Sequence, residues 1–260
     1  MANKKGAKLF RSPNMEQIVD KTYLNFVLVI ISLLFFSSFI NLSSALPTGV
    51  SISSNVTESK VDLPAPSRTD EGGTITIMEM DVVQQNDRWK AYLGNLTGAL
   101  SLSDSSGKSI FAWSMAIEDL TGEVYVSRNG SIDWDISVEC ANLTHIEDED
   151  IYMGFNSSVI DSVNRTFNST LHPQLVVGTT TITANTCNAT STYVNATAED
   201  QASASYPIVL LVSSESTIYA TPINKGAQSY DNETTADFQI IVPDKVGDIT
   251  EYYFYAEIGA

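Results

Sequence analysis

Much of this chain alternates apolar and polar residues one by one, the period of a strand with one face buried. Ile75 and Ile77 alternate with Thr74 and Thr76, after which Met78, Met80 and Val82 alternate in the opposite phase. Such a phase slip predicts a bulge. Arg88–Leu102 is the longest strand candidate, with Trp89, Ala91 and Leu93 on one face. Beyond Gly94-Asn95 the apolar parity passes to Leu96, Leu100 and Leu102, so a bend is expected there. Phe111, Trp113, Met115 and Ile117 share a face of the next strand. A hairpin is expected to follow. Glu123–Arg128 runs into Asn129-Gly130, a favoured type I′ pair, and Ile132, Trp134, Ile136, Val138 and Cys140 return facing inward. Further strands are predicted at 175–182, 193–194, 207–212, 218–221, 238–242 and 252–258.

One helix interrupts this pattern. Val159, Ile160, Val163 and Phe167 fall on one face at helical spacing, which predicts a short helix over about 157–167. The expected fold class is therefore mainly β: an antiparallel β-sandwich with one short helix, preceded by an N-terminal hydrophobic helix.

That N-terminal element is Tyr23–Leu42, about twenty nearly continuous apolar residues without a charge, enough helix to cross a bilayer core. Residues 1–22 form a basic lead containing Lys4, Lys5, Lys8, Arg11 and Lys21. The positive-inside rule keeps that lead in the cytoplasm and sends the rest outward. Ser43-Ser44-Ala45 also fits a signal-peptidase cut, so 23–42 reads either as a retained anchor or as a cleaved signal helix. Residues 43–72 have linker composition, with Val50-Ser51-Ile52 available as an edge strand, and 73–260 form the exported β domain.

Charge narrows the partners. Five of the 14 Lys/Arg precede the apolar stretch, leaving nine basic residues against twenty-nine acidic ones beyond it. A polyanion of this kind repels nucleic acid. The expected partners are the membrane, through 23–42, and other surface proteins or glycans. Cys140 and Cys187, both on the exported side, are expected to form a disulfide. Ten of the thirteen asparagines beyond Ala45 begin an N-x-S/T sequon: Asn55, Asn95, Asn129, Asn142, Asn156, Asn164, Asn168, Asn188, Asn195 and Asn232. Chance gives about three, so the excess points to an exported, N-glycosylated chain.

RWKAYLGNLTGALSLSDSSG, GEVYVS, IDW, DSVNRTFN, IYAT, DFQIIVP and YYFYAEI occur in that order. As an ordered set they resemble a family of uncharacterised exported archaeal surface proteins, over roughly Gly73 to Ile258. The resemblance implies a single exported domain and supplies no catalytic residues.

The residues themselves offer little chemistry. His145 precedes Glu147-Asp148-Glu149-Asp150, an acidic loop whose oxygens suit a hard cation, but without EF-hand spacing it reads as a solvated run. His172, before Pro173, reads as a loop residue. No nucleophile elbow, zinc spacing, P-loop, dinucleotide fingerprint or haem-attachment motif occurs, and no cofactor is implied. Trp89, Trp113, Trp134, Tyr125, Tyr252, Tyr253, Phe254 and Tyr255 read as core, with Tyr253 and Tyr255 either exposed or facing a second buried layer. The expected function is a non-enzymatic cell-envelope glycoprotein with a structural or adhesive role, located at the cell membrane or secreted. A secreted glycan- or protein-binding module and a carboxylate-based extracellular hydrolase are the alternatives.

Overall fold

The computed structural model describes residues 46–61, 64–113, 120–136 and 138–259. The basic lead, the apolar stretch 23–42, the Ala45 cut site, Met115, Ile117 and Ser137 lie outside them. Among the described residues no helix is long and apolar enough to cross a membrane.

The described residues join the main sheet first through a two-residue strand, β1 (Thr48–Gly49); those described from there to β2 (Trp89–Gly94) form no strand or helix and are nearly all exposed. A hairpin of β3 (Leu100–Ser103) and β4 (Ser109–Trp113) precedes the long strand β5 (Thr121–Ser127) and the short β6 (Glu139–Cys140). Two helices follow, α1 (Leu143–Met153) and the single turn α2 (Val163–Thr166). Then come the hairpin β7 (Leu175–Val177) and β8 (Thr180–Ile182), strand β9 (Ala189–Ser191), and the hairpin β10 (Tyr193–Val194) and β11 (Thr197–Ala198). The last third holds β12 (Pro207–Ser213), β13 (Ser216–Pro222), β14 (Ala227–Gln228), β15 (Thr235–Ala236), β16 (Phe238–Pro243) and β17 (Tyr253–Gly259).

Seven strands make the main sheet, in the order β1-β17-β5-β13-β12-β6, with β9 beside β6 along the same edge of β12. All pairings are antiparallel. β12 is PIVLLVS and buried at every residue, because both faces of the sheet are covered. Its side chains alternate between two cores. Val209 and Leu211 join Tyr125, Leu175, Ile218 and Tyr255 on one face, under the β7/β8 hairpin. Ile208 and Leu210 join Val126, Phe167, Tyr219 and Ile240 on the other, under the helices and the β2/β16 ribbon.

Several strands lie where the alternation places them: 193–194, 207–213, 216–222, 238–243 and 253–259. Residues 175–182 form a hairpin rather than one strand. The expected hairpin at Asn129-Gly130 is not formed. Both edges of β5 are already taken, by β13 and by β17, so no place remains for a returning strand. Residues 131–133 have no regular structure and 134–136 are bends, and β6 pairs with β12. The side-chain alternation there is largely kept: Ile132, Trp134, Val138 and Cys140 reach the first core while Ile136 is exposed. The tight two-residue turn occurs at Ser214-Glu215, both at positive φ, where pairing of the fully buried β12 with β13 outweighs the conformational cost. Thr74–Val83 is in no strand, and its apolar side chains are exposed. In β2 the expected face is kept only at Trp89, which packs with Tyr92 against the second core, while Ala91 and Leu93 are exposed.

The helix assignment also changes. Residues 157–167 form turns and the single turn α2, with Ile160 exposed. The long helix is α1, made from the supposed acidic loop. Asn142 caps it in a reciprocal box with His145, and Gly154 closes it in the left-handed region. The apolar stripe is broken because two of its inward positions are Glu149 and Asp150, both buried.

Candidate functional site

Carboxylates come first, because the chain is rich in them. Glu123 and Glu257 sit directly opposite each other on β5 and β17, and both are buried. Glu123 Oε1 accepts the Val176 amide at 3.1 Å. Glu257 Oε2 accepts the Gly178 amide at 2.7 Å and the Tyr125 hydroxyl at 3.2 Å. The pair thus clamps the β7/β8 hairpin onto the sheet. Burial pushes the Glu123 carboxyl up to about 7, against the pull of the Val176 amide and with a push from Glu257. Burial and the two carboxylates likewise push the Tyr125 phenol far up. Gly122, next to this pair, has φ +124°, and a Cβ there would meet the Glu257 carbonyl oxygen at 2.0 Å.

The acids beside His145 are structural as well. Glu149 pairs with Arg128 at 2.5 Å and accepts the Tyr219 hydroxyl at 3.0 Å. Asp150 accepts the amides of Val163 and Asn164 and so anchors α2. His145 Nδ1 accepts from the Asn142 amide within the cap. Among the described residues no group of three or more His, Cys, Asp or Glu is placed to hold a metal ion. His172 is buried in its loop. Its Nε2 accepts the amides of Thr186 and Cys187, and Nδ1 lies 2.6 Å from the Pro173 carbonyl, so Nδ1 carries the proton.

Cys140 and Cys187 form the expected disulfide, with Cα atoms 4.9 Å apart. It joins β6 to the segment entering β9, the two short strands that share one edge of β12. A fifth buried carboxylate, Asp237, was not singled out by the sequence pattern. It accepts the amides of Leu96 at 2.7 Å and Gly226 at 2.9 Å and pairs with Lys225. Burial alone would raise its carboxyl; the hydrogen bonds from Lys225, Leu96 and Gly226 prevail and hold it below the usual range.

Aromatic residues line a surface depression of about 310 Å³ at the β1/β17 end of the sheet. Gly49, Val50, Ile52, Gly130 and Tyr252–Tyr255 form its wall. Tyr255 is buried and donates to the Asn129 carbonyl at 2.9 Å, and Tyr252 donates to the Pro243 carbonyl. Of the aromatics in this wall only Tyr253 is exposed, at 38%, its ring lying so close to Gly130 that a Cβ there would be 2.8 Å from it. The second buried layer therefore accounts for Tyr255. Trp134 packs between Tyr125 and Tyr255, and the Trp89 indole donates to the Asp161 carbonyl. Trp113 is half exposed and stacks edge-on against Phe111 in the β3/β4 hairpin.

None of the ten sequon asparagines is buried. Asn55, Asn95, Asn129, Asn142, Asn156, Asn168, Asn195 and Asn232 are exposed, while Asn164 and Asn188 are partly covered. The Asn188 side-chain amide donates to the Phe167 carbonyl at 2.9 Å, which occupies the nitrogen a glycan would use.

Fold and site together define a mainly β, antiparallel, disulfide-stapled domain whose buried acids serve its own backbone. No family model, curated protein or solved structure matches this chain.

Proposed function

We propose that this chain is an exported cell-surface glycoprotein with a structural or adhesive role, of the kind its motif order resembles. In this reading 23–42 forms the hydrophobic helix that targets or anchors it, and the β2/β16 ribbon is the second layer of an antiparallel sandwich. The observation that carries the proposal is the sequon set: ten in number, with eight asparagines exposed. The use of His145, His172, Glu149 and Asp150 in caps and ion pairs is consistent with a role that needs no catalytic group. The membrane and neighbouring surface proteins or glycans are the partners this reading implies.

A second reading, a secreted glycan- or protein-binding module, is favoured by exposed aromatics: Tyr253 at the depression and the Phe111/Trp113 pair on its hairpin. For a carboxylate hydrolase, the facing acids Glu123 and Glu257 lie inside the sheet rather than in a cleft.

The test is to fractionate native cells and measure the N-terminal peptide, intact mass and glycopeptides of the chain. Recovery in the membrane fraction or medium, with glycan on the exposed asparagines, is the expected result. A cytoplasmic chain with bare asparagines overturns the proposal.

A further inference from the structure

Two surfaces of this chain are suited to strand pairing, and among the described residues neither pairs with a strand, the Val83 carbonyl alone taking a bond from Lys60. The first is Thr74–Val83, TITIMEMDVV: ten residues without Pro or Gly, of strand-forming composition. It is in no strand, and Ile75, Ile77, Met80, Val82 and Val83 are 80–95% exposed. Single exposed apolar residues are ordinary, but a run of this length marks an interaction segment.

The second surface is the outer edge of β2. Register with β16 pairs Lys90 with Val242 and Tyr92 with Ile240, and the Asp244 amide bonds the Arg88 carbonyl. The even-numbered residues therefore turn their backbone groups towards β16. Those of Trp89, Ala91 and Leu93 point the other way, and no strand among the described residues pairs with that edge.

Among the described residues no segment of the same chain closes this gap. The Asn86 side chain bonds Asp161 at 3.3 Å and the Trp89 indole bonds the Asp161 carbonyl at 2.8 Å. These bonds bring the chain into β2 from the α2 side instead of folding it back along the open edge. Charge also favours an intermolecular match. Glu79 and Asp81 lie in the exposed run, while Arg88, one of the few basic residues in an acidic chain, stands just before β2; Lys90 beside it is already paired with Asp244 at 2.9 Å.

We propose that Thr74–Val83 of one copy adds as a strand to the outer edge of β2 in a second copy. Main-chain hydrogen bonds supply the pairing, and burial of Met78, Met80 and Val82 on one face supplies the apolar gain. Donor and acceptor are different surfaces, so the contact is head-to-tail and propagates into a chain of copies unless it closes into a ring. The inference rests on these two surfaces and not on the cell-surface reading, so either can fail alone.

The test uses the full chain in mild detergent, with mass followed against concentration by sedimentation. Met80→Lys with Val82→Lys alters only the exposed run. Leu93→Pro removes one outward N–H and leaves the bonds to β16 intact. Each is expected to weaken association about tenfold or more. Copies carrying Glu79→Cys, Met80→Cys or Asp81→Cys are then mixed with copies carrying Ala91→Cys. At least one mixture is expected to yield a disulfide-linked dimer that Ser53→Cys copies do not give. A mass that stays monomeric at every concentration overturns the proposal. So does association that the donor variant leaves unchanged, or protection of the β2 edge from hydrogen exchange that is independent of concentration.

Discussion

Replacing Glu123 by Gln should remove a specific pH dependence from the stability of this domain. Glu123 lies opposite Glu257 on adjacent strands, and burial raises its carboxyl from an ordinary 4.5 to about 7. In the unfolded chain the group gives up its proton near 4.5; in the folded chain it keeps it towards neutrality. Between those values the folded state binds more protons, so stability falls as pH rises and levels off above about 7. The difference corresponds to roughly 3 kcal/mol, because each pH unit is worth about 1.4 kcal/mol. For a domain of this size that is roughly 6–12 °C in Tm. Glutamine keeps an oxygen for the Val176 amide and carries no charge against Glu257, so the variant should gain most of this stability at pH 8 and none at pH 4. Denaturant melts of both proteins from pH 4 to 8.5, with the disulfide kept oxidised, measure the difference directly. A constant difference across that range would refute the reasoning, as would wild-type stability that climbs relative to the variant as pH rises.

Asp237→Asn should act in the opposite sense. Its carboxyl is held below the usual range, so its contribution is present above about pH 4 and lost as pH falls through the folded value. Leaving Lys225 without its partner should cost roughly 3 kcal/mol at neutral pH, and acid unfolding should become shallower. Changing both Cys140 and Cys187 to Ser opens a loop of sequence separation 47 and should cost about 4 kcal/mol by denaturant melts. Glycopeptide mapping should find Asn188 bare while Asn55, Asn95, Asn142, Asn156, Asn168, Asn195 and Asn232 carry glycan, because the half-buried Asn188 side-chain amide is engaged with the Phe167 carbonyl; Asn129, exposed but donating to Ser216 Oγ at 2.9 Å, should be occupied less than those seven. Full occupancy at Asn188 would mean that this bond does not form before glycan transfer.

The sequence by itself determined which segments could be strands, because period-2 alternation is a local property of the backbone. β12, β13, β16 and β17 were legible for that reason, and so was the disulfide, since the chain holds only two cysteines. Which strands pair was decided by the tertiary structure. Asn129-Gly130 favours a hairpin locally, yet β13 and β17 occupy both edges of β5, and pairing along both edges outweighs one turn preference. Ser214-Glu215 has little turn preference and makes the tight turn because β12 and β13 must lie side by side in the core. The helix at 143–153 was hidden because Glu149 and Asp150 occupy its buried face, which is tolerable only with Arg128, Tyr219 and the α2 amides in place. Glu123, Glu257 and Asp237 were silent for the same reason. A buried acid reads as a solvated one until the strands and loops that supply its partners have folded around it.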